Sequence, residues 1–127
     1  MVVEKVTEEQ IRQDLLEARI KPGSGARADR IYRSVKGITD NGRVYHVLTD
    51  TPEQTFDTFR VLVDDQIIVS FELDRDSSEA IPREIQIYSI EDYRKAIGPG
   101  LAEVELRIAV KLAQEELSHI FIRSNRV

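Results

Sequence analysis

The stretch from Phe56 to Leu73 constrains the fold of this chain more than any other. Apolar residues, most of them β-branched or aromatic, alternate with polar residues on both sides of a short acidic break, and this pattern predicts a β-hairpin with a buried face. A three-residue loop, Asp64 to Gln66, would pair Val63 with Ile67 and keep the apolar side chains in step, whereas a two-residue loop would not. The predicted buried face consists of Phe59, Val61, Val63, Ile67, Val69 and Phe71.

The chain is long enough to form one domain with its own hydrophobic core. Its 127 residues are 41% hydrophobic and 32% charged, which is typical of a globular protein. Leu62 and Ile68 lie opposite one another on the second face of the predicted hairpin. The sheet therefore needs apolar cover on both faces, from a helix or from a second chain. We predict a single domain over residues 1–127.

Two further elements are predicted before the central hairpin. Thr7 and Gln10 form a capping box, which favours a helix that continues to about Arg19. The segment from Ile31 to Thr49 is split by Asn41-Gly42, and this dipeptide between strand-like runs is typical of a tight hairpin turn. We therefore predict a first hairpin there.

The elements after the central hairpin complete an α+β fold. A fifth strand is predicted over Glu84 to Tyr88, with Ile85 and Ile87 facing inward. A short helix capped by Ser89 follows, and a long helix is predicted over 101–121. The predicted architecture is an N-terminal helix, a mainly antiparallel sheet of about five strands (two hairpins and one further strand), and a short and a long helix packed on the sheet.

The long helix carries two apolar stripes. The broader stripe contains Leu106, Ala109, Val110, Ala113, Leu117, Ile120 and Phe121. The second stripe, on nearly the opposite side, contains Leu101, Val104, Ile108 and Leu112. Because a helix packed on one sheet needs a single stripe, the second stripe indicates another contact. Either the N-terminal helix or a partner subunit would provide it, and we take these four residues as the candidate interface.

Arg27, Arg30 and Arg33 form the main basic cluster of the sequence. They would bind a phosphate or an acidic partner, because the arginine fork matches oxyanions. The alternative is a solvated loop and strand edge, and the net charge of −5 favours it. The adjoining loop, residues 22–25, lacks both glycine-rich phosphate-binding motifs and precedes a predicted strand. We therefore interpret the loop as a connector.

The histidines and the absent cysteines limit the chemistry that this chain can perform. His46 lies in a predicted strand, on a face with Val44 and Leu48. It is a candidate binding residue or general base, and the alternative is a packed core residue. His46 and His119 are far apart in the sequence, so a metal site that both would share is a weak hypothesis. With no cysteine, a thiolate zinc site and a cysteine nucleophile are excluded. No G-x-S-x-G motif is present, so no Ser-His-Asp triad is indicated. We predict no catalytic residue, no metal site and no cofactor.

The acidic residues of the central hairpin raise one enzymatic alternative. Asp64-Asp65 and Glu72 to Asp76 lie near its two ends, and some metal-dependent nucleases place an acidic residue and a Glu-x-Lys motif on adjacent strands. Here Asp74 occupies the position of the expected lysine, so the motif is broken. Asp64-Asp65 also suits a turn.

These observations favour a protein-interaction role over catalysis. The apolar runs are too short to span a membrane, and the first residues lack the apolar core of a signal peptide, so we expect a cytoplasmic protein. The acidic net charge disfavours a dedicated nucleic-acid binder. We predict a non-catalytic module that associates with itself or with another protein, as an inhibitor or antitoxin does. The alternative is a small nucleic-acid-processing factor that uses the arginine cluster and the acidic hairpin residues.

Overall fold

A computed structural model describes residues 7–20, 25–52 and 55–124, with side chains for all of these except 50, 51 and 121–124. The elements in chain order are α1 (Glu8–Glu17), β1 (Arg19–Ile20), α2 (Ala26–Ile38), β2 (Tyr45–Pro52), β3 (Phe56–Val63), β4 (Ile67–Asp74), β5 (Arg83–Ser89), α3 (Ile90–Ile97) and α4 (Leu101–Ser124). These helices and strands confirm the predicted α+β class. Within the described ranges, no helix combines the length and the apolarity that a membrane crossing requires.

The five strands form one antiparallel sheet in the order β1-β2-β3-β4-β5. The register of β3 and β4 confirms the prediction for the central hairpin, because Val63 pairs with Ile67 and Phe59 pairs with Phe71. The three-residue loop begins at Asp64, whose φ of 55° lies in the left-handed region that aspartate tolerates better than most residues. Local alternation and turn chemistry therefore specify this hairpin.

The predicted first hairpin is wrong, because residues 31–38 belong to helix α2 and the chain enters β2 at Tyr45. Ala28, Ile31, Val35 and Ile38 recur at helical spacing and face the sheet. Asn41-Gly42 leads from the helix into the strand instead of joining two strands. The Tyr45 hydroxyl donates to the Gly42 carbonyl at 2.7 Å, and a Cβ atom at Gly42 would collide with the Val63 side chain. A glycine is therefore needed there for close packing.

Helix α2 covers one face of the sheet. The buried cluster beneath it consists of Ile20, Ile31, Val35, Tyr45, Phe59, Val61, Val63, Val69, Phe71 and Leu73. No residue of β5 belongs to this cluster. The inward orientation predicted for Ile85 and Ile87 is therefore wrong, and these side chains are 47% and 54% exposed. They lie on the α2 face, but the helix packs over the other strands.

Helices α1, α3 and α4 cover the opposite face. The cluster on this side consists of Ile11, Leu15, Val44, Leu62, Ile68, Tyr93, Leu106, Ile108, Ala109, Leu112 and Ala113. Leu62 and Ile68 are fully buried in it, so the second face of the hairpin is covered by the chain's own helices. The sheet thus lies between two helical layers.

Both predicted helix caps are present. Thr7 Oγ1 accepts from the Gln10 amide at 3.1 Å, and Ser89 Oγ accepts from the Asp92 amide at 3.1 Å. Each cap satisfies one of the amides that the first turn of a helix leaves without an internal partner. These two local signals therefore fix the starts of α1 and α3.

Replacing Thr7 by alanine is expected to lower the free energy of unfolding by about 1 kcal/mol, because the Gln10 amide loses its acceptor. Urea denaturation would measure this change. Thr55→Ala is the matched control, since Thr55 is an exposed threonine outside any helix. Equal effects of the two substitutions would contradict the role of Thr7 as a cap.

Candidate functional site

Helix α2 places Arg27, Arg30 and Arg33 on one side, because residues three apart are neighbours on a helix. The predicted loop and strand-edge location is therefore wrong. The three arginines line a cavity of about 420 Å³ between α2 and the ends of β3 and β4. Arg75, from the turn after β4, lines the same cavity. Four arginines thus line one cavity.

Arg30 and Arg33 are held by hydrogen bonds within the chain. Arg30 donates through Nε to the Glu79 carbonyl at 2.8 Å and through Nη2 to the Asp74 carbonyl, which anchors the connection between β4 and β5 to α2. Arg33 Nε lies 2.9 Å from Asp29 Oδ2, one turn earlier on the helix. These contacts hold the guanidinium planes in defined orientations.

Arg27 and Arg75 complete the charged rim of the cavity. The Arg27 guanidinium lies over the Phe59 ring, 5.5 Å from its centroid, in a cation–π contact. Arg75 donates to Asp57 Oδ1 from Nη2 at 2.8 Å and from Nε at 3.2 Å. This hydrogen bond raises the pKa of Arg75 above its ordinary value, so its positive charge is secure at neutral pH.

The open surface of the cavity is mainly charged. Phe59, Ile31 and Leu73 lie beneath the arginines and are each at most 3% exposed, so they add little to that surface. Four arginines and two aspartates line the cavity, which gives a formal charge of +2 in a chain whose net charge is −5. The local charge is therefore opposite in sign to that of the whole chain.

His46 lies on the other face of the sheet and does not join the arginines. Its side chain is fully buried, and neither ring nitrogen has a hydrogen-bond partner among the described residues. Burial, and secondarily the charge of Arg19 on the paired strand β1, lowers the pKa of His46 to about 4. His46 is therefore neutral at physiological pH and belongs to the core.

The acidic residues of the central hairpin also lie apart from one another. Asp64 Oδ1 accepts from the amides of Arg43 and Val44 at 2.8 and 2.9 Å and so holds the chain that enters β2. Asp74 lies at the opposite end of the hairpin. Over the ranges that the structure describes, no group of three or more His, Cys, Asp or Glu side chains is placed to hold a metal ion. Asp64 therefore acts as a structural residue.

The second stripe of α4 is largely covered by the chain itself. Ile108 and Leu112 are 8% and 4% exposed and belong to the core, and Val104 packs against it. Helix α1 lies along α4, and two ion pairs of 2.9 Å, Arg12–Glu115 and Arg107–Glu8, join the helices. Of the two alternatives for this stripe, the N-terminal helix α1 provides the cover of Ile108 and Leu112, which share a core cluster with Ile11 and Leu15. Leu101 remains 54% exposed.

The outer edge of β5 was missed by the sequence interpretation. Ile81, Ile85 and Ile87 are three of the five large hydrophobic side chains found exposed in the described part of the chain. No described strand pairs with the outer side of β5, which ends the sheet. A bulge at Glu84 and Ile85, where the φ of Glu84 is 51°, precedes a regular run from Gln86 to Ser89. The spacing of Ile85 and Ile87 indicated an apolar face of β5. It did not indicate that the described helices would leave this face uncovered.

No family model, curated protein or solved structure matches this chain. Two features of the chain's own geometry bear on its function, the arginine cavity (Arg27, Arg30, Arg33 and Arg75) and the β5 edge (residues 85–89).

Proposed function

We propose that this chain is a non-catalytic, cytoplasmic protein-interaction module whose partner is a second copy of itself, bound through the β5 edge. The observation that supports the proposal is the exposure of Ile85 and Ile87 side by side on a terminal strand. Exposed edge strands with apolar side chains favour pairing with another strand, and soluble proteins ordinarily protect them with lysine, proline or a covering element. Residues 85–89 contain neither lysine nor proline, and no element in the described part of the chain covers their outer edge.

Antiparallel pairing of two β5 strands is self-complementary. A two-fold axis through Gln86 places Ile85 of one copy opposite Ile87 of the second copy, on one face of a joined sheet of ten strands. Arg83 and Glu84 lie at one end of the strand, so antiparallel pairing does not bring like charges directly opposite each other. The contact covers little surface, so we expect a weak, reversible dimer.

Replacing Ile85 and Ile87 together by lysine is expected to abolish the dimer, because four positive charges would then face one another across the paired edge. Sedimentation velocity of the full chain over a range of concentrations would measure the solution mass of the wild type and of the variant. Because both side chains are exposed, circular dichroism is expected to show an unchanged fold.

Leu101→Lys is the matched control, because Leu101 is an equally exposed apolar residue of a different surface. This variant is expected to keep the wild-type mass. Loss of the dimer in Leu101→Lys alone would show that the interface lies at the start of α4 and would reject the β5 edge. A wild type that stays monomeric at about 1 mM, where an interaction of about 4 kcal/mol is detectable, would reject self-association.

A nucleic-acid-processing factor is the second candidate, and the arginine cavity is the observation that favours it. Against it, phosphate-backbone binding needs basic side chains spread along a surface, whereas these arginines surround one cavity in an acidic chain. The acidic hairpin residue Asp64 also lies at the end of β3 remote from Asp57 and the cavity. An oligonucleotide titration at low salt tests this candidate.

A further inference from the structure

We infer that the groove between α1, β2 and the start of α4 docks a basic side chain of a partner protein, together with an apolar side chain next to it in the partner. The groove has a volume of about 350 Å³. It is lined mainly by residues of α1 and β2, and by Leu101 and Glu105 of α4. None of the described residues that line it belongs to β5, so the inference is independent of the proposed dimer.

The groove contains apolar surface that the described part of the chain leaves uncovered. Leu101 is 54% exposed, and Val47 and Leu48 are half-buried. Ile11 and Leu15 lie deeper, each 5% exposed, and support the groove from beneath. An apolar side chain laid over Leu101 and Leu48 would remove this surface from water, which is favourable. Because Leu101 is exposed, a segment that lies across the groove fits it better than a small enclosed ligand.

Two carboxylates, Asp14 of α1 and Glu105 of α4, also line the groove. Among the described residues, no arginine or lysine lines it, and the ion pairs that join α1 to α4 use Glu8 and Glu115 instead. Asp14 Oδ1 accepts from Gln10 Nε2 at 2.9 Å, and this neutral donor leaves the negative charge of the carboxylate in place. The groove therefore combines apolar surface with two carboxylates that have no cationic partner there.

The charges of the groove are unfavourable in the free chain. Burial, and secondarily the negative charge of Asp14, raises the pKa of Glu105 above its ordinary value. A guanidinium or ammonium group beside the two carboxylates would relieve their repulsion and form charge-assisted hydrogen bonds with them. The net charge of −5 attracts a basic partner in the same sense. Charge complementarity thus selects a basic segment as the occupant.

Titration of the full chain with the peptide acetyl-Leu-Arg-Leu-amide, followed by amide chemical shifts in NMR spectra, tests the inference. The peptides with glutamine and with glutamate at the centre are the controls, because they keep the apolar side chains and change only the charge. We expect the arginine peptide to bind with a dissociation constant of about 1 mM, at least about tenfold more tightly than either control. The shifts are expected to cluster around Asp14, Leu48 and Glu105.

Glu105→Gln is expected to weaken binding of the arginine peptide by about tenfold, because one charged contact is lost. The same variant is expected to raise the urea midpoint of the free chain at pH 7, because it removes a charge that burial and Asp14 disfavour. Glu103→Gln is the matched control, since it removes the same charge from α4 at a position that does not line the groove. Equal weakening in both variants would show general charge attraction and overturn the site.

The pKa of Glu105, followed through its carboxyl carbon signal, is expected to fall when the arginine peptide is bound, because binding favours the charged form. A glutamine peptide that binds as tightly as the arginine peptide would overturn the inference, as would the absence of shifts in the groove. Methylguanidinium that binds as tightly as the peptide would show that the groove takes a small cation only and would reject a docked partner segment.

Discussion

Replacing Ile68 by alanine is expected to lower the free energy of unfolding by about 4 kcal/mol, in the upper part of the range for buried isoleucine. Ile68 is fully buried, pairs with Leu62 across the central hairpin and belongs to the core under the α1, α3 and α4 layer. Truncation removes apolar contact and leaves a cavity that a sheet packed on rigid helices fills poorly. Urea denaturation followed by circular dichroism would measure the change.

Ile81→Ala is the matched control, because the same side chain is 67% exposed at that position. We expect it to change the free energy of unfolding by less than about 0.5 kcal/mol. Comparable losses in the two variants would contradict the placement of Ile68 beneath the helices. They would also contradict the conclusion that the chain's own helices cover the second face of the hairpin.

The central hairpin was predictable because its determinants are local. Alternation specifies which residues share a face, and a shift of one residue between Val61 and Val69 would reverse that face, so burial selects the register. The caps of α1 and α3 were predictable for the same reason, since Thr7 and Ser89 each act on an amide three residues away.

The region of α2 was mispredicted because two local signals conflicted. Asn41-Gly42 is typical of a hairpin turn, whereas Ile31, Val35 and Ile38 follow the helical period. The helix prevails because its apolar stripe packs on a cluster that includes Phe59 of β3. The resulting sheet keeps the predicted number of strands, but β2 pairs with β3 instead of with residues 31–38, and β1 is formed by Arg19 and Ile20.

The candidate sites were the hardest features to predict from the sequence, because tertiary structure brings their residues together. Arg27, Arg30 and Arg33 are close in sequence, so their cluster was visible, but Arg75 reaches them through the fold. Whether Ile85 is covered likewise depends on how far α2 extends across the sheet, which no local pattern encodes.

Lowering the pH from 8 to 5 is expected to lower the free energy of unfolding by about 2 kcal/mol through the titration of His46. The folded-state pKa of about 4 lies below the ordinary value of 6.5, because the buried ring has no room for a hydrated charge and Arg19 opposes a second positive charge. Between these two pKa values the unfolded chain binds more protons, so stability falls as the pH decreases. Above about pH 7.5 both states hold a neutral ring and His46 adds almost no pH dependence.

The His46→Leu variant isolates this contribution, because carboxyl groups that titrate in the same range are common to both proteins. The difference in unfolding free energy between variant and wild type, measured in urea, is expected to grow in favour of leucine as the pH falls from 8 to 5. The ring-proton signal of His46 in NMR spectra gives its pKa directly, and His119→Gln assigns the two histidine signals. A His46 signal that titrates near pH 6.5, together with a pH-independent difference between the proteins, would show that the ring is accessible to water and not part of the core.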